Sequence, residues 1–204
     1  MRLVAALLLT LAAAPAADLI RGGKPRCTIV VAAEAQPAER RAASELQKYL
    51  REISGAELAM AEDSRTVRGP MVLVGRSRAL ARVAPDLPPK DLGPEGFVIE
   101  TRGPHLVIAG GGQRGTMYGV YEFLERLGVR WFTADVTRIP QLQTIPLGRL
   151  RIRQEPAFEY REPFFTEAFD RDWAVRNRAN GHHARLDAST GGKVSYFPFV
   201  HSFE

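Results

Sequence analysis

The spacing of apolar and polar residues changes several times along the chain, and each change marks an element. Residues 28–32 (TIVVA) form a short β-branched run of the kind a buried strand carries. Pro37 then opens a helical pattern, its fixed φ suiting a first turn. Ala42, Leu46, Tyr49, Leu50 and Ile53 recur three or four residues apart, while Glu39, Arg40, Glu45, Lys48, Arg51 and Glu52 fall on the face toward water and Gly55 supplies a C-cap. Residues 57–61 and 71–74 read as two further strands, the second closed by Gly75. Residues 97–100 and 106–109 follow, with Gly103-Pro104 between them as a hairpin turn. A second amphipathic helix starts around Arg114, places Met117, Val120, Tyr121, Leu124 and Leu127 on one face, and stops at Gly128. Residues 129–133, with Trp131 and Phe132, are again strand-like. This order predicts a mixed sheet with two main helices on one face, an α/β domain of the two-layer α+β kind over residues 18–136.

Residues 137–154, with Pro140 and Pro146, read as a linker, and 155–204 as the beginning of a second unit. At the other end, Met1 and Arg2 precede an apolar stretch over 3–14, and Ala14-Pro15-Ala16 offers small residues for cleavage. The expectation is a signal peptide over 1–17, cut near Ala16 or Ala17, and a secreted or periplasmic protein with no membrane partner after cleavage. The stretch is shorter than the roughly 20 residues of a spanning helix. Cys27 is the one cysteine, so no intramolecular disulfide forms within the chain, and its place before an apolar strand suits an inert packing residue. The formal charge of +5, from 28 basic and 23 acidic residues, is scattered without a run of like charges or interleaved aromatics, which argues against a nucleic-acid partner.

After the strand at 106–109 comes Gly110-Gly111-Gly112-Gln113-Arg114-Gly115, which satisfies G-x-G-x-x-G and opens a helix, with Asp135 further on at the end of a strand. In a dinucleotide site Gly112 would admit a pyrophosphate and Asp135 would hold a ribose hydroxyl. Against NAD binding, the strand pairs by a tight turn with residues 97–100, whereas a dinucleotide fold sets it first in a parallel sheet. The favoured reading is a tight strand-to-helix turn with no cofactor.

The same residues carry a longer pattern. Ile108-Ala109-Gly110-Gly111, then Arg114 through Glu125 (RGTMYGVYEFLE) and Leu127-Gly128-Val129-Arg130-Trp131, resemble the signature of an accessory domain that precedes the catalytic barrel. It is found in α-glucuronidases, in β-N-acetylhexosaminidases and in bacterial proteins with domain of unknown function 4838. Residues 42–50 resemble its first helix, and Val72-Leu73-Val74-Gly75 one of its strands. Pro156-Ala157-Phe158-Glu159-Tyr160-Arg161 is similar to the "P.F.YR" opening of the barrel in these enzymes, with Thr166 where they carry an aspartate. Phe158 and Tyr160 alternate with Glu159 and Arg161 as a barrel strand would.

The resemblance implies the start of a (β/α)8 barrel over 155–204 and a glycoside hydrolase acting on a glycan. It implies that Arg161 binds sugar hydroxyls; the bland alternative is an ion pair with Glu159 or Glu162. Further candidates for sugar contact are Trp173, by stacking, Asn177, in the segment that follows, and His201, which would top a second barrel strand. Tyr196 could stack on a sugar as well, yet Trp173 and Tyr196 are more readily read as core, and core or hairpin packing is equally open to His201. No catalytic residue is assigned: Glu155, Glu159, Glu162, Glu167, Asp170 and Asp172 read as solvated or ion-paired carboxylates, and the acids of such enzymes come from later strands. His182-His183 lacks the spacing of a metal site and reads as loop. A non-catalytic carbohydrate-binding module and an exported NAD-dependent oxidoreductase are the two other function classes.

Overall fold

The computed structural model describes residues 17–195. The strands are β1 (Asp18–Arg21), β2 (Lys24–Pro25), β3 (Thr28–Val31), β4 (Met60–Glu62), β5 (Met71–Val74), β6 (Phe97–Arg102), β7 (His105–Gly110), β8 (Arg130–Trp131), β9 (Thr137–Arg138), β10 (Ile145–Pro146) and β11 (Arg151–Gln154). The helices are α1 (Pro37–Ser54), α2 (Arg78–Val83), α3 (Gln113–Leu127) and α4 (Arg171–Arg176), with 3₁₀ turns at Thr166–Phe169 and Ala188–Thr190.

Six strands form the main sheet in the order β11-β6-β7-β5-β3-β4. β4, β3, β5 and β7 run parallel, β6 returns antiparallel to β7, and β11 is antiparallel to β6. Ile29, Val31, Val72, Val74, Phe97, Ile99, Leu106 and Ile108 face α1 and α3. Val30, Met71, Leu73, Val98, Val107 and Ala109 face the other way, onto Ala79 and Leu80 of α2 and onto Ala84 and Leu92. Burial on both faces is why TIVV and MVLV show no polar alternation.

The mixed sheet with two main helices on one face is therefore observed. α1 begins where the Gln36 N–H donates to Glu39 Oε2 (3.3 Å) and ends at Gly55, whose left-handed φ of 75° lets its N–H reach the Arg51 carbonyl at 2.7 Å. The two helices meet at an aromatic knot. Tyr49 and Tyr121 each stand edge-on to Trp131, with ring centroids 5.5 and 5.4 Å apart, and the indole N–H donates to the Tyr49 hydroxyl at 2.8 Å.

Four expectations are corrected. The strand read at 57–61 is the edge strand β4, at Met60–Glu62, and the run 129–133 narrows to β8, which leaves the main sheet and pairs with β9. The stretch 137–154 is bound into the fold: β10 pairs with β1, and β11 forms an edge of the main sheet against β6. Ile152 is the only apolar residue of β11, so its alternation is too weak to read. Residues 155–165 lie in no helix or strand. A barrel strand is fixed by neighbours on both sides, and among the described residues no strand pairs with this segment. The stretch 1–16, Tyr196 and His201 lie outside the described residues. No helix among those described is long and apolar enough to cross a membrane.

Candidate functional site

At the glycine turn between β7 and α3 backbone packs closely against backbone. A Cβ on Gly111 would sit 2.1 Å from the Gly93 carbonyl oxygen, one on Gly115 2.2 Å from that of Gly96, and one on Gly112 2.9 Å from that of Pro94. The Gly111 N–H donates to Gly96 O at 3.0 Å. None of the four turn glycines has a positive φ, so they serve close approach of backbone to backbone rather than a left-handed turn. The loop 93–96 fills the place a pyrophosphate would need. Asp135 is exposed in the turn between β8 and β9, outside the sheet, whereas a ribose-binding acid would end a neighbouring parallel strand. These contacts overturn the dinucleotide reading. Thr116 completes the turn: its hydroxyl accepts from Gly110 N (3.1 Å) and donates to Glu39 Oε1 (3.3 Å), linking β7, α3 and α1.

The loop packed on these glycines carries Glu95, a carboxylate only 8% exposed. Arg114 Nε donates to its Oε1 at 2.8 Å, Arg161 Nη1 to its Oε2 at 2.8 Å, and the Asn180 amide to Oε1 at 2.9 Å. Burial alone would raise the Glu95 carboxyl, but the hydrogen bonds from Arg161 and Asn180 and the charges of Arg161 and Arg114 outweigh it and hold the group below the usual carboxylate range. Tyr118, beside it, is pushed up to about 12 by burial and by the Glu95 charge.

Arg161, expected to bind sugar, is committed here. Its Nε donates to Arg178 O (2.8 Å), Nη1 also to Phe158 O (2.6 Å) and Nη2 to the Tyr118 hydroxyl (3.3 Å), and the guanidinium lies over the Tyr118 ring, 5.6 Å from its centroid. It forms an ion pair, as the bland alternative held, but with Glu95 rather than Glu159 or Glu162. A second polar seam continues along α3, where Arg178 Nη2 reaches Glu122 (3.0 Å) and Glu125. On α1, Glu45 was expected to face water; instead it takes a two-pronged contact from Arg176 (2.9 and 3.1 Å), and Arg41 meets Asp172 at 2.8 Å.

Two other candidates are structural. Trp173 is buried, its indole N–H donating to Phe132 O at 3.2 Å and its ring edge-on to Phe165. Asn177 caps α4, its amide donating to Trp173 O at 3.0 Å. His182-His183 lies in a loop, where His183 Nδ1 is 2.9 Å from Glu162 and Tyr160 donates to the same carboxylate. Cys27 is buried, and burial pushes its thiol up to about 12, which fits an inert packing residue. Beside Glu95 opens a cleft of about 400 Å³ lined by Arg114, Glu155, Phe158 and Glu159, with Phe158 73% exposed.

Sequence reasoning missed Glu95, Glu45, Tyr118, Glu122, Arg176 and Arg178. One signal was available: Arg114, Tyr118, Glu122 and Glu125 recur at helical spacing, a second face of α3 that flanks its apolar one. This face, on signature residues, holds residues 158–180 in place.

A family model described as the glycosyl hydrolase family 67 N-terminus matches residues 21–123. Among solved structures, a family GH115 4-O-methyl-α-glucuronidase with specificity for decorated arabinogalactans aligns with a TM-score of 0.64 at 23% identity, over 81% of this chain and 25% of its own. A GH20 β-N-acetylhexosaminidase from Streptomyces coelicolor A3(2) aligns with a TM-score of 0.44 at 20% identity, over 72% of this chain and 26% of that one. The chain thus spans about a quarter of the length of these structures. No curated protein sequence matches it.

Proposed function

The chain belongs to the glycosyl hydrolase family 67 N-terminal domain family, and from that premise we propose that it is the part of a secreted, glycan-cleaving enzyme that mounts the catalytic domain. In this reading residues 17–154 are the accessory domain and residues 155–204 are the first part of a (β/α)8 barrel. The catalytic carboxylates come from later strands, so the 204-residue chain by itself is inactive. The carrying observation is the use of the signature helix. Arg114, Tyr118, Glu122 and Glu125 of α3 spend their polar groups on Glu95, Arg161 and Arg178, which fixes the chain leaving the accessory domain in one orientation. A barrel of about 250 residues needs its first strand fixed in this way relative to whatever supports it.

The family membership supports a glycan substrate, and the charged n-region with its apolar stretch supports export. A non-catalytic surface module is the competing reading. Aryl glycoside hydrolysis separates the two, measured for the 204-residue chain and for the same chain extended through its downstream reading frame. The expected result is no turnover by the first and turnover by the second. Hydrolysis by the 204-residue chain, or an extension without barrel periodicity and without activity, overturns the proposal.

A further inference from the structure

Against the expectation of scattered charge, one stretch of the accessory domain carries basic residues alone. Between Asp63 and Asp86 the chain carries Arg65, Arg68, Arg76, Arg78 and Arg82 and no lysine, aspartate or glutamate, a local +5 equal to the formal charge of the whole chain. All five side chains are exposed. The carboxylates nearest in sequence all have partners, Asp63 within the patch itself. Asp63 accepts from the backbone N–H groups of Ala33 (3.0 Å) and Arg78 (2.6 Å), Glu62 pairs with Arg40, and Asp86 pairs with Arg102.

The fold gathers Arg65, Arg76, Arg78 and Arg82, whereas Arg68 precedes β5 and lies toward the other end of the sheet. β4 and β5 both run parallel to β3, so their C-terminal ends lie at one end of the sheet, and the bond from Arg78 N to Asp63 ties the turn after β4 to the start of α2. Arg78 and Arg82 are one helical turn apart. α2 covers the sheet face opposite α1 and α3. The patch therefore stays outward while residues 155–195 occupy the other side.

We propose that this arginine patch is a docking surface for an acidic polysaccharide, a glycan chain bearing carboxylate groups, and that it holds the protein on its polymer while chemistry proceeds elsewhere. The guanidinium fork matches a carboxylate with two parallel hydrogen bonds, which an ammonium does not. Residues 64–85 contain no Phe, Tyr or Trp, so the stacking platforms that bind single-stranded nucleic acid are missing there. They also contain none of the exposed large hydrophobic residues among those described, so the patch has no apolar side to insert into a bilayer. The choice of a glycan among polyanions rests on the glycoside hydrolase reading above.

Affinity electrophoresis of the 204-residue chain tests the proposal, in gels cast with polygalacturonate or with neutral galactan. Three proteins are compared: wild type, the triple variant Arg76→Gln, Arg78→Gln, Arg82→Gln, and the charge-matched control Arg138→Gln, Arg149→Gln, Arg151→Gln, whose three arginines are also exposed. Wild type is expected to be retarded by polygalacturonate alone and to lose that retardation as salt rises to about 0.5 M. The patch variant should bind about tenfold more weakly, with the control within about twofold of wild type, as expected for a local rather than a net-charge effect. Absence of retardation, equal losses in both variants, or equal retention by duplex DNA or phosphatidylserine vesicles overturns it. None of these readouts involves hydrolysis, so failure here leaves the enzymatic proposal standing, and an inactive extended chain leaves this binding result intact.

Discussion

Residues 17–154 and residues 155–195 are held by different forces. The first region buries apolar side chains on both faces of a six-stranded sheet, with α1 and α3 on one side and α2 on the other. The second has only a small apolar cluster of its own, made of Ala168, Trp173, Ala174, Ala179 and Ala184. It is fixed to the first mainly through arginine and carboxylate contacts at Glu95, Glu45, Glu122 and Asp172, with Val175 the one fully buried side chain it adds to the main core. Apolar burial is large and indifferent to direction, roughly 25 cal/mol per Å². Partly buried ion pairs add little net energy, yet they discriminate sharply against a misplaced partner. Cohesion and orientation are thus supplied by different residues, and each can be attacked separately.

The most damaging change should strike the first region. In Gly115→Ala the new methyl meets backbone at Gly96 and Gly110, neither of which can swing aside, so a loss of about 3 kcal/mol is expected. A urea midpoint close to that of wild type would show that the turn has slack. Next comes Glu95→Ala, which strands Arg114 and Arg161 without their carboxylate. We expect about 2 kcal/mol of lost docking, read as rapid proteolysis within 155–195 while the melting of 17–154 is nearly unchanged. If both regions melt together, the division between cohesion and orientation fails.

Arg178 gives a smaller effect of known sign. It closes α4 in the left-handed region, at φ 60°, while Ala179 N bonds to Ala174 O and Arg178 N to Val175 O. Arg178→Gly should be about 1 kcal/mol more stable than Arg178→Ala, since both lose the contacts to Glu122 and Glu125 and only glycine is free of the backbone penalty. Equal unfolding midpoints would argue against strain at that site.

Acid should produce the mildest change. The carboxyl of Glu95 is depressed in the folded protein, so its contribution is complete above the unfolded value, about 4.3, and is lost as pH falls through the lower folded value. Glu162 and Asp172 are depressed as well, against the opposing effect of their burial, through their partners Tyr160 and His183 and through Arg41. Amide exchange over 158–183, corrected for its intrinsic pH dependence, should therefore quicken between about pH 5 and pH 3. Glu95→Gln should flatten that rise without abolishing it. An unaltered profile in the variant would remove Glu95 from the acid response.

The sheet and its two long helices could be read along the chain because their side chains repeat with the period of the element that buries them. α1 from Pro37 to its Gly55 cap and the Gly103-Pro104 hairpin are local patterns of this kind. β11 could not be read in that way, since one isoleucine among polar residues carries no period and its place is decided by pairing with β6. The polar junction was hidden for a related reason. Glu95 and Arg161 are 66 positions apart, and nothing local to a glutamate in a Gly-Pro-Glu-Gly turn states which arginine it will meet. The resemblance pointed to Arg161 as a sugar-binding residue, and the structure shows its guanidinium bonded within the seam between the two regions.

The two-sided use of α3 changes what its string of letters encodes. Met117, Val120, Tyr121 and Leu124 answer to the sheet and α1, while Arg114, Tyr118, Glu122 and Glu125 answer to Glu95 and the arginines beyond it. Gly115, Thr116 and Gly119 answer to the backbone of the turn and to the side chains of Ile108 and Phe97. Interleaving three messages on one helix leaves almost no silent positions. A surface helix ordinarily tolerates change at half its length or more; this one is close to a block code, in which an error at nearly any symbol corrupts one of the three readings.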